Sequence, residues 1–76
     1  MNKQRRKQLE DVNAKIEEIK ADLELIRDEE QEYIDNMPES LASGERAELA
    51  ESAVSNMDDA INSLEEAATS TVESAE

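Results

Sequence analysis

The sequence predicts an all-α protein in which two long helices fold back as an antiparallel, coiled-coil-like hairpin, and two such hairpins join as a four-helix bundle. Three observations carry that prediction. Apolar residues recur at heptad spacing in two separate segments, and the only proline falls with the only glycine between them. At 76 residues and 37% apolar composition, the chain is also too small to bury a large core by itself. It reads as a single domain: helix 1 over about residues 4–36, a loop at 37–43, helix 2 over about 44–70, and a loose tail at 71–76.

In helix 1, Leu9, Val12, Ile16, Ile19, Leu23 and Ile26 are spaced alternately three and four apart, which aligns them along one helical seam. Leu9, Ile16, Leu23 and Glu30 take heptad position a, and Val12, Ile19, Ile26 and Tyr33 take position d. Glu30 breaks the apolar series and either fixes register or reaches Arg46. The basic residues Lys3, Arg5, Arg6 and Lys7 oppose the dipole at the helix start, so the first turn is expected to fray.

The loop follows from Asn36, Met37 and Pro38, since proline pushes the residue before it out of the α region. Ser43 is the expected N-cap of helix 2. Ile34, Met37 and Leu41 gather here, either as a local cap on the turn or as a partner-binding knob.

Helix 2 repeats the seam with Ala47, Val54, Ile61 and Ala68 at a and Ala50, Met57, Leu64 and Thr71 at d. In an antiparallel pair each a residue faces a d residue at a constant sum of residue numbers. Tyr33 with Ala47, Ile26 with Val54, Leu23 with Met57, Ile19 with Ile61, Ile16 with Leu64 and Val12 with Ala68 all sum to 80, which centres the turn on Ser40. Asn13, Lys20 and Arg27 at e of helix 1 then run beside Glu51, Asp58 and Glu65 at e of helix 2. On the other edge Ala53, Ala60 and Ala67 at g widen the apolar face of helix 2 and mark the expected dimer interface. The same register brings Lys7 near Glu73 and Gln4 near Glu76.

Composition constrains the chemistry. With no His and no Cys, the chain lacks disulfides, Cys/His zinc sites and His-dependent acid–base or nucleophilic schemes. A single glycine excludes glycine-rich phosphate loops, and no calcium-loop pattern is present. The expectation is a protein that is not an enzyme and uses no cofactor and no metal.

Eight basic against twenty-one acidic residues leave a formal charge of −13, with pI near 4.2. Such a chain is repelled by phosphate backbones and by anionic membrane surfaces, so no direct nucleic-acid or membrane binding is expected. No apolar run follows the basic N-terminus as in a signal peptide, and a location in the cytoplasm of the cell that makes the protein is expected. The N-terminal cluster reads as neutralising the acidic C-terminal end or as touching a phosphate or an RNA.

The acidic surface is the main candidate for function. Glu10, Asp11, Glu17, Glu18, Glu24 and Glu32 fall at b and c of helix 1, and Asp59 and Glu66 at f of helix 2; the seam needs none of them. Helical turns repeat at about 5.4 Å and phosphates of one DNA strand at about 3.4 Å, so carboxylates on a rod suit a groove built for nucleic acid. The competing reading is a solvated face that maintains solubility, although −13 exceeds the charge of about 2–8 that suffices for a small domain.

The stretch RDEEQEYIDNMPESLASGER, residues 27–46, with the following SAVSNMDDAINSLEEA, resembles a group of small acidic proteins encoded by phages and integrated elements of Gram-positive bacteria. DNMPESL followed by GERAE is its most distinctive part. The resemblance carries no site residues. It implies a setting in which tiny acidic proteins inhibit host defence, as anti-CRISPR and anti-restriction proteins do by occupying nucleic-acid sites. The function expected is therefore inhibition of a host defence protein with a basic groove by a homodimeric acidic mimic of nucleic acid. The alternative is a non-enzymatic structural or assembly adaptor.

Overall fold

The structure, a computed structural model, describes residues 2–74. It is all-helical and extended, 60 × 14 × 11 Å, with two long helices, α1 (Lys3–Asp35) and α3 (Glu45–Ser74), and a single turn, α2 (Glu39–Ala42), between them.

Each helix end has a local cause. Asn2 caps α1 by accepting the Arg5 backbone N–H on its side-chain oxygen at 2.8 Å, which holds the first turn that sequence reasoning expected to fray. At the other end the Asn36 N–H donates to the Glu32 carbonyl, and Pro38 then prevents continuation. Pro38 opens α2, and its carbonyl accepts from both Leu41 and Ala42.

Ser43 does not cap α3 as expected. It closes α2, and Gly44 stands at the N-cap of α3, where its carbonyl accepts the Glu48 N–H at 3.1 Å. The expected loose tail is also corrected at residues 71–74, which are helical; residues 75 and 76 lie outside the described residues. Thr69, Thr71 and Ser74 return their hydroxyls to carbonyls four residues earlier, so these weak helix formers are satisfied within the helix itself. Thr71 and Val72 also share a cleft with Leu9, Glu10 and Asn13, so packing on α1 overrides the weak propensity.

α1 and α3 lie against each other along their length. Near one end Leu9 and Asn13 neighbour Thr71 and Val72; midway Arg27 bonds Asp58; near the other Tyr33 shares a cleft with Pro38, Leu41 and Arg46. The buried core is thin and one-sided: Ala47, Ala50, Val54 and Ala68 of α3, with nothing fully enclosed on α1. Small side chains are covered completely by one neighbouring helix, whereas larger ones project past it.

The expected a/d seam holds on α3 and is corrected on α1. Leu9, Ile16, Leu23 and Glu30 at a are half-buried, and so are Asn13, Lys20 and Arg27 at e. The d residues Val12, Ile19, Ile26 and Tyr33 remain 45%, 54%, 54% and 45% exposed. The reason is the partner column: Ala53, Ala60 and Ala67 end at Cβ and have no atoms to cover the larger d side chains beside them. Ala53 is half-buried, while Ala60 and Ala67 are exposed.

Candidate functional site

The heptad frames separate the surface of the pair into two kinds of face. Along the e edge and the outer side run the acids. Along the g edge run the exposed Val12, Ile19, Ile26 and Tyr33 of α1 with the alanine column of α3. Neither face is a cavity.

All eight acids singled out in the sequence, Glu10, Asp11, Glu17, Glu18, Glu24, Glu32, Asp59 and Glu66, are exposed. Among the described residues the ion pairs are Lys7 with Asp11 at 3.9 Å and Arg27 with Asp28 at 3.4 Å and with Asp58 at 2.8 Å. Seven of the eight carboxylates are therefore outside any ion pair, and Asp11 is held only loosely by a neighbour one turn away. Helical spacing repeats Glu10, Glu17 and Glu24 every second turn along one line of α1, and Asp11 and Glu18 run beside them.

A shallow cleft crosses between the helices on this edge, lined among others by Asn13, Glu17, Lys20, Glu65, Thr69 and Glu73. Lys20 and Glu65 were expected to meet here; they share the cleft without forming an ion pair. Arg27 and Asp58 do meet. The hydrogen bond to Asp58 is the largest cause of a raised Arg27 pKa; burial works against it, and the charges of Asp58 and Asp28 add to it.

The N-terminal expectation is corrected in part. Lys7 pairs with Asp11 rather than Glu73, because the i, i+4 neighbour on its own helix is nearer. Arg5 and Ser74 nonetheless line one cleft, so the basic start of α1 lies beside the end of α3, and the Gln4–Glu76 approach lies outside the described residues. Glu30 is half-buried and joins none of the ion pairs; Arg46 sits with Glu29, Glu32 and Tyr33 around the turn cleft instead.

Two features escaped sequence reasoning. The Asn13 Oδ1 atom is buried without a hydrogen-bond partner, which only its placement at e opposite Val72 could have signalled. The apolar d stripe of α1 is exposed, and its signal was the short alanine column beside it. No group of three or more acidic side chains converges on a metal-binding position among the described residues, and no described helix is long and apolar enough to cross a membrane. Comparisons of the chain with protein families, with curated proteins and with solved structures give no match.

Proposed function

We propose that this chain is a non-enzymatic binding protein: an antiparallel helical hairpin that dimerises through its apolar edge and presents its carboxylates outward to a protein with a basic groove. The observation that carries the reading is the exposure of all eight candidate acids, seven of them outside any ion pair among the described residues, on helices that keep them in fixed rows. Free carboxylates on preformed helices require less backbone ordering on binding than a flexible acidic segment does, and they steer a cationic partner from a distance. The hairpin is supported by the Arg27–Asp58 bond and by the clefts that set the start of α1 beside the end of α3. The dimer is supported by the thin core and the exposed stripe.

The target class proposed is a nucleic-acid-processing protein of a bacterial host, and the resemblance to small acidic phage and mobile-element proteins makes a defence factor the favoured member of that class. A second reading, an assembly adaptor, draws on Leu25 and Leu49, which are 62% and 65% exposed and which neither seam needs. Affinity capture from a Gram-positive host lysate at low and high salt separates the two. Charge-driven capture weakens steeply as salt screens the rows. Recovery of a partner with a basic groove only at low salt supports the inhibitor, whereas capture indifferent to salt supports the adaptor.

A further inference from the structure

The exposed d stripe of α1 and the alanine column of α3 lie on the same edge of the helix pair and match each other in register. We infer that this edge is covered by a second copy of the chain, stacked about a twofold axis parallel to the helices, so that α1 of each copy lies on α3 of the other. The inference rests on the dimer proposed above and adds its geometry.

Face-to-face stacking of two identical helix pairs allows two simple twofold axes in the plane of contact. An axis perpendicular to the helices sets α1 on α1 and α3 on α3, with the turns at opposite ends. Large side chains then meet large ones and alanines meet alanines, so the two halves of the contact require different spacings. An axis parallel to the helices sets α1 on α3, with both turns at the same end. A pure rotation about that axis leaves every residue at its own height, so the register has no free parameter.

Heights within one copy follow the sum of 80. The residue of α3 level with Ile26 is thus Val54, and its neighbour on the alanine column is Ala53. The parallel axis then lays Ile26, Ile19 and Val12 on the second copy's Ala53, Ala60 and Ala67, each within about one residue rise of 1.5 Å. Tyr33 falls by the same rule on the second copy's Arg46, a cation beside the single aromatic ring of the chain. Four exposed side chains meet four matching positions, three of them too short to obstruct.

Charge agrees. The α1 column that flanks the stripe carries Asp22 and Glu29, and in this arrangement it runs over Ser63, Asn56 and Leu49 of the second copy, none of them acidic. A chain of charge −13 therefore closes this contact without bringing carboxylate rows together. The four contact positions run from Val12 to Tyr33, about 32 Å at a rise of 1.5 Å per residue, within the 60 Å length of the molecule.

The chain has no cysteine, so Ser40→Cys places one nitroxide label on the exposed turn, away from the contact. Mass by light scattering and label separation by pulsed electron paramagnetic resonance are read on the same sample. The geometry predicts a dimer with labels less than about 35 Å apart, the width of a four-helix bundle plus the label arms. A dimer with labels near the 60 Å length of the molecule overturns the parallel axis and leaves the dimer standing. A folded species of 8.5 kDa overturns the dimer itself. Ile19→Glu combined with Ile26→Glu is expected to convert the dimer to that smaller species, and an undiminished dimer in this variant contradicts the assigned face.

Discussion

Arg27 Nε donates to Asp58 Oδ1 at 2.8 Å, joining α1 to α3 across 31 positions of sequence. Both residues stand at heptad position e. If partners at a and d sum to 80, partners at e must sum to 85, as these two do. A slip by one heptad sets Arg27 beside Glu51 or Glu65 instead, which are also acids, and it still faces a residues with d residues, so neither charge nor seam alone chooses the register; the turn between Asn36 and Gly44, centred on Ser40, does.

Exchanging the charges tests this contact. Arg27→Asp and Asp58→Arg are each expected to lower the melting temperature, and the double exchange to recover most of the loss, as followed by circular dichroism. Because the Arg27 pKa is raised, the guanidinium's contribution is present below its unfolded-state pKa and is lost only as pH rises through the still higher folded value. Its share of stability is therefore expected to stay flat from about pH 6 to 10.

The a and d columns of α3 carry the buried core, with Ala47 only 1% exposed. Ala47→Leu forces extra volume into that contact and is expected to destabilise by about 1–3 kcal/mol in urea unfolding. Val54→Ala removes about two methylene equivalents and is expected to cost about 1.5 kcal/mol.

How much of this was legible in the sequence differs by element. Both long helices and the break between them follow from spacing and from Pro38, because heptad periodicity over four or more turns is a strong local signal. The end of α3 was not legible: TSTVES is a poor helix former, and its place beside Leu9 and Asn13 of α1 is a long-range contact that local propensity does not report. The rotation of α1 was equally hidden, since a spacing of three and four marks a seam without saying whether d or e lies deeper. The acids were placed on the surface correctly because nothing in either seam needed them, but their role is not written in spacing.

Gly44 has no positive φ, and a Cβ there meets only the Leu41 carbonyl oxygen at 3.4 Å. The position does not require glycine. Gly44→Ser supplies an N-cap oxygen to α3 and removes unfolded-state freedom, and is expected to stabilise by about 0.5–1 kcal/mol. An unchanged or lowered unfolding midpoint contradicts this account of the helix start.

Asn13 Oδ1 is buried without a partner, an arrangement that costs about 1–3 kcal/mol. Asn13→Leu removes the orphaned oxygen beside Val72 and is expected to raise stability by about 1 kcal/mol, measured by thermal unfolding. A loss of stability shows instead that the amide is satisfied in solution.

The central claim is that exposed carboxylates occupy a site built for nucleic acid, and competition tests it most directly. The partner recovered at low salt is mixed with labelled duplex DNA and with either the native chain or the Glu17→Gln, Glu18→Gln, Glu24→Gln variant, and DNA binding is followed by fluorescence anisotropy. The account predicts that the native chain displaces DNA and that the triple variant, with unchanged helicity, displaces it at least tenfold less well. A ternary complex of partner, DNA and native chain, or equal displacement by the variant, contradicts it.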